Sequence, residues 1–208
     1  MLYSPARLTP SHPPHPDLFV RLGGWLFRHR TSLPLPIAAV LFVVPAETSN
    51  HLLPWIGGTL VVAAELLRLW AVRHIGAISR TRSDRLGPLV DSGPFALVRN
   101  PLYLANIGLW VGFALSARLP WLAPVLACVL AIEYHAIVRW EEQLLESRFR
   151  DDYRAYAARV PRWMSVRKPR RPGRREIAFP WRDAFFSERG TLMAIAAGFL
   201  LLWMRSQR

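Results

Sequence analysis

The stretch "RNPLYLANIGLWVGFALSA", residues 99–117, places a cation, an amide and a proline directly before a long apolar run. Asn is a favoured N-cap residue and Pro a favoured first helical residue, so a helix is expected to start at Pro101. The first N–H groups of a helix have no partner within it, and that end of the helix is partly positive. Arg99 adds a full charge there. The foot of this helix is therefore expected to form a corner that suits an anion.

The run from Pro101 to Ala117 is one of five apolar blocks. The others are Leu33 to Ala46, Leu52 to Val72, Leu119 to Val138 and Thr191 to Met204. A helix needs about 20 apolar residues to cross a hydrocarbon core. The second and fourth blocks meet that length, and the third does so with its first turn in the interface. The first and last are short, and a tilted, interfacial or re-entrant placement suits them. Apolar residues gathered in blocks this long, with few charges, argue against a soluble all-helical protein. The fold expected is an all-α integral membrane bundle of four to five transmembrane helices with a cytoplasmic amphipathic helix.

The whole chain, 1–208, reads as a single membrane domain. Residues 30–72 carry the first two spans, 73–100 a cytoplasmic loop, and 101–138 spans three and four. Residues 139–190 carry a cytoplasmic helix and a basic linker, and 191–204 a further span or re-entrant helix. The linker is "RKPRRPGRR", residues 167–175, and reads as a solvated or headgroup-bound connector.

The net charge is +13, and 23 of the 27 Lys and Arg fall in residues 1–30, 73–100 and 139–190. Basic residues near span ends are retained on the cytoplasmic side. The N-terminus and main loops are thus expected in the cytoplasm, with the spans in the inner (plasma) membrane and the excess charge facing anionic headgroups. This topology accounts for the charge without a nucleic-acid partner. The first 30 residues do not resemble a signal peptide. The single cysteine, Cys128, excludes an internal disulfide. His135 has no second ligand at short spacing, so no metal site is expected.

A second cluster follows the fourth block. Leu145, Phe149, Tyr153, Tyr156 and Val160 are spaced four, four, three and four, which makes one helical stripe. Extended back by four, the stripe reaches Glu141, which is expected to point towards the bundle. Glu142 lies about 100° round, on the flank. An inward carboxylate at a span end needs a partner. Arg139, Arg99 or a cationic ligand would serve. Glu65 and Arg68, three apart on the second span, are expected to pair.

Together the clusters "GPFALVRNPLY" and "EEQLLESRFRDDYRAYAARVPR" resemble the isoprenylcysteine carboxyl methyltransferase and phospholipid methyltransferase superfamily. That family carries G-P-[YF]-x-x-x-R-[HN]-P-x-Y at the start of one membrane helix. After the next helix it carries E-E-x-x-L, then F-G-x-x-Y-x-x-Y and V-P-R. The resemblance covers about residues 60–165. Asn100 stands where His is commoner, and Arg150 where Gly is usual.

The resemblance implies S-adenosylmethionine bound at the cytoplasmic face between spans three and four and the following helix. Gly93, Asn100, Pro101, Tyr103, Glu141 and Glu142 would contact the cofactor, and Arg99 and Glu141 would act in catalysis. The acceptor would be lipophilic or small, a lipophilic one entering from the bilayer among membrane lipids, and would present a carboxylate, amine, hydroxyl or thiol. Two other readings remain: an NADPH-dependent membrane reductase of the sterol-reductase type, and a non-catalytic membrane bundle.

Overall fold

The computed structural model describes residues 18–29, 34–46, 50–76, 89–164 and 178–207. Six α-helices occur among them: α1 (Leu18–His29), α2 (Pro34–Val43), α3 (Leu52–Ile75), α4 (Pro101–Ser116), α5 (Leu122–Arg159) and α6 (Trp181–Ser206). A short 3₁₀ turn, Gly93–Ala96, precedes α4. The described residues hold no strand. The all-α membrane bundle read from the sequence is the architecture found.

Three helices, α3, α5 and α6, are long and apolar enough to cross a membrane, and α4 is a shorter apolar helix. At 1.5 Å per residue α3 is about 36 Å long and α4 about 24 Å. Exposed apolar side chains such as Val62 and Leu66 on α3, Val129 and Ile132 on α5 and Leu200 and Leu201 on α6 give these helices a lipid-compatible outer face.

Two blocks differ in length from their reading. The first forms α2, a helix of 10 residues, which is about half the thickness of a hydrocarbon core. Pro45 follows its end. The last forms a helix of 26 residues that begins ten residues before the apolar block. It runs through Arg182, Asp183, Glu188 and Arg189. The charged start hides the helix from a search for apolar length. A further element, α1, packs on α5, with Gly23 and Gly24 against Ala136 and Trp140 and the Phe27 ring tilted against Trp140 at 4.9 Å between centroids.

The α3–α4 pair makes the most extensive helix contact among the described residues. A Cβ on Gly112 would stand 2.7 Å from Val61 and 2.8 Å from the Gly57 carbonyl. Gly108, one turn before it, lies against Ala64. Small residues at this spacing let membrane helices approach closely. α4 ends in a Schellman motif: the Leu119 N–H donates to the Ala114 carbonyl at 2.9 Å and the Arg118 N–H to Leu115 at 2.9 Å. Arg118 takes the left-handed position with φ 60°. At the same end, Arg205 of α6 donates to the carbonyls of Leu41, Val44 and Ala117. It thereby ties the ends of α2 and α4 to α6.

Candidate active site

The foot of α4 is built as the sequence suggests, with one difference. Pro101 is the first helical residue and Asn100 occupies the N-cap position, but the Asn100 side chain makes no cap. Its amide instead donates to the Arg162 carbonyl at 3.0 Å. One residue earlier, the Arg99 N–H donates to the Pro161 carbonyl at 2.9 Å. The Val160-Pro161-Arg162 segment after α5 is thus strapped backbone-to-foot onto α4. Tyr156 adds a third tie, its hydroxyl donating to the Phe95 carbonyl at 2.8 Å.

α5 carries the facing residues. It is helical to Phe149, breaks at Arg150 (φ 45°, ψ −114°), and resumes to Arg159. The expected stripe survives the break. Tyr153, Tyr156 and Val160 are buried, with Leu145 and Phe149 packed against them. The bend is what folds the strap back onto the foot of α4.

The charged groups meet inside this frame. Arg99 pairs with Glu142 at 3.0 Å and donates to the Tyr153 hydroxyl at 3.3 Å. Glu142 is also gripped by Arg162, which reaches it at 2.6 Å through the terminal nitrogen and at 3.0 Å through Nε. Glu141 accepts a hydrogen bond from the Tyr103 hydroxyl at 2.9 Å. Tyr103 lies against Tyr134, with ring centroids 4.8 Å apart. The two glutamates are therefore divided. Glu142, expected on the flank, lies between two arginines; Glu141 lies beside an aromatic pair.

Electrostatics follow from this packing. Burial pushes the Tyr153 phenol up to about 12, helped by the negative charge of Glu142 and opposed by Arg99. Burial also raises Tyr156. Arg162 is raised, chiefly by its hydrogen bond to Glu142. Both tyrosines are neutral at physiological pH, Tyr156 donating to Phe95 and Tyr153 accepting from Arg99. The Arg99 Nε is buried and has no hydrogen-bond partner among the described residues. An anion could be held there.

Gly93 belongs to the α3 side of the site. Its φ is 57° and a Cβ there would overlap the imidazole of His74. Only glycine meets both conditions. His74 is 2% exposed, and its Nδ1 lies 2.8 Å from the Trp70 carbonyl. Sequence reasoning did not place Arg162, Tyr153 or His74 in the site. The "VPR" motif was the signal for Arg162. His74 carried none. The basic stretch 167–175 lies outside the described residues.

A family description, phospholipid methyltransferase, matches residues 52–152, from the start of α3 to just past the break in α5. The chain belongs to the phospholipid methyltransferase family. Among curated proteins it is similar to the nickel-cobalt-cadmium resistance protein NccN of Alcaligenes xylosoxydans xylosoxydans, at 30% identity over 67% of this chain and 66% of that one. It is also similar to the cobalt-zinc-cadmium resistance protein CzcN of Cupriavidus metallidurans, at 30% identity over 74% of this chain and 71% of the relative. No solved structure matches it. The α6 residues lie beyond the part matched by the family.

Proposed function

We propose that this protein is an S-adenosylmethionine-dependent methyltransferase working at the cytoplasmic face of the plasma membrane. The observation that carries the reading is the division of the two glutamates between Arg99 with Arg162 and Tyr103 with Tyr134. When bound, the cofactor supplies a methyl group activated by its sulfonium. The rest is positioning, water exclusion and proton handling.

The residues fit such a cofactor. The unpartnered Arg99 Nε suits its carboxylate. Glu141, oriented by Tyr103, suits an ammonium or the ribose hydroxyls. The Tyr103–Tyr134 pair offers aromatic faces to a cation. Glu142 and Arg162 hold the strap over the helix foot and keep water from it. The acceptor is a lipophilic molecule entering from the bilayer and carrying a carboxylate, amine, hydroxyl or thiol. An acidic acceptor would be oriented by Arg99, and a protic one would give its proton to a glutamate. The orientation follows from the basic residues at the site end of the bundle, Arg73, Arg99, Arg139 and Arg162 among them. The relatives' names concern metal resistance, and a contribution to it here would come through methylation of a membrane component.

The test is calorimetric binding of S-adenosylhomocysteine to the detergent-purified protein, beside Arg99→Ala and Glu141→Gln. Micromolar binding that weakens in both variants is expected. A folded wild type that binds none would overturn the reading.

A further inference from the structure

Arg68 lies about two turns inside α3 from its site end, Asn106 just over one turn into α4 and Glu188 about two turns into α6. All three are thus at similar depth within the bundle. Arg68 reaches Glu188 at 2.9 Å, hydrogen-bonds the Asn106 side chain, and stands 3.5 Å from Glu65. Glu188 is 1% exposed. Charges at this depth are costly and persist where they have a use. A guanidinium can serve several partners at once because its donors form a planar fork.

On α4, Asn106 is three residues from Tyr103, so the two side chains leave neighbouring points of the helix surface. Tyr103 reaches Glu141 on α5, and Asn106 reaches Arg68 on α3. α4 is therefore held by polar grips on both sides, one turn apart. At the seam around Gly57 and Gly112, α3 and α4 approach too closely to admit a Cβ. Glu188 is itself held in place from the end of α3. The Phe179 N–H donates to the Arg73 carbonyl at 2.7 Å, and the Arg73 guanidinium covers the Trp181 ring at 4.6 Å.

We propose that Arg68, Asn106 and Glu188 are positioning residues that set the register of α4 and so hold Tyr103 against Glu141. The site's support then extends into α6, beyond the segment that the family shares. The cofactor arm of the test rests on the methyltransferase reading; the exchange arm does not.

Full-length protein in detergent is compared with Asn106→Leu, Glu188→Gln and Leu202→Ala. The last removes packing at the far end of α6 and is the control for general destabilisation. Hydrogen exchange is read at the Leu104 and Ala105 amides, and affinity for S-adenosylhomocysteine is read well below the melting temperature. Asn106→Leu and Glu188→Gln should speed exchange about tenfold and weaken binding roughly ten- to hundred-fold, the loss of one charge-assisted hydrogen bond. Leu202→Ala should lower the melting temperature without changing either. If a variant does not fold, Arg68→Lys keeps the charge, loses the fork, and should shift both readouts part of the way. Exchange and affinity unchanged in variants that melt earlier would show a purely stabilising role and overturn the proposal. A wild type that binds no cofactor refutes the proposed function, while the exchange arm still decides this one.

Discussion

Arg99 and Arg68 each hold a glutamate from another helix, Arg99 at the surface end of the bundle beside the foot of α4 and Arg68 about two helical turns inside. The surface cluster has two arginines on one carboxylate and retains an unpartnered guanidinium nitrogen. The deep cluster has one arginine serving α3, α4 and α6 together. The first has capacity left for a ligand. The second spends its donors on the protein. A buried charge therefore marks a binding site only when its hydrogen-bonding capacity exceeds what the fold consumes.

Breaking the deep cluster should have the larger effect on stability. Arg68→Leu leaves Glu188 buried without its guanidinium, and such losses cost about 3–5 kcal/mol. In a protein of this size that is a fall in melting temperature on the order of 10 °C. Thermal unfolding in detergent measures it. A fall of less than a few degrees would mean that the deep pair contributes little to the fold.

Breaking the surface cluster should act mainly on binding. Glu142→Gln removes the charge between Arg99 and Arg162 and frees the strap. Affinity for S-adenosylhomocysteine should drop by at least roughly tenfold, with a stability loss of about 1–2 kcal/mol. Calorimetry and unfolding on one preparation give both numbers. Equal affinity in the variant would assign Glu142 to the scaffold alone.

The two clusters were unequally legible. Helix-start chemistry gave Asn100 and Pro101, and the stripe from Leu145 to Val160 gave the inward turn of Glu141. Both are local patterns. The Glu65–Arg68 pair was likewise visible at a spacing of three. Its link to Glu188 was not, because 120 residues separate the partners. α6 was read too short for the same reason: a charged first half looks like loop until its glutamate is given a partner. α1 was missed because it is only 12 residues long and carries Gly23 and Gly24 on its inner face, where paired glycines read as helix breakers. The Gly108–Gly112 spacing was present in the sequence and signals close helix approach, but only the structure shows which helix it meets.

Tyr153 sharpens the surface half of the comparison through pH. Its ordinary value is 10, and the fold raises it to about 12. A raised value means that the folded state favours the neutral phenol. The associated stability is fully present below pH 10 and disappears as pH rises through 12. Tyr153→Phe should therefore lose stability less steeply across that window. Parallel curves for wild type and variant would show that another group controls the alkaline limb.

The smallest effect concerns two other arginines, both with positive φ. Arg118 has φ 60°, in the left-handed region that closes a Schellman motif. Arg150 has φ 45° with ψ −114°, a combination that disfavours any side chain. Backbone strain of this kind costs of order 1–3 kcal/mol, whereas a single left-handed residue costs about 1–2. Glycine removes either penalty but loses more entropy on folding. Arg150→Gly should thus gain about 1 kcal/mol, a rise of roughly 2–4 °C, and Arg118→Gly less. Arg150 sits at the bend that returns the strap to the α4 foot, so its glycine variant should also bind S-adenosylhomocysteine at least as tightly as wild type. A lower melting temperature for Arg150→Gly would mean that the side chain holds the bend, and that the glycine usual there in the family does a different job from the one this backbone requires.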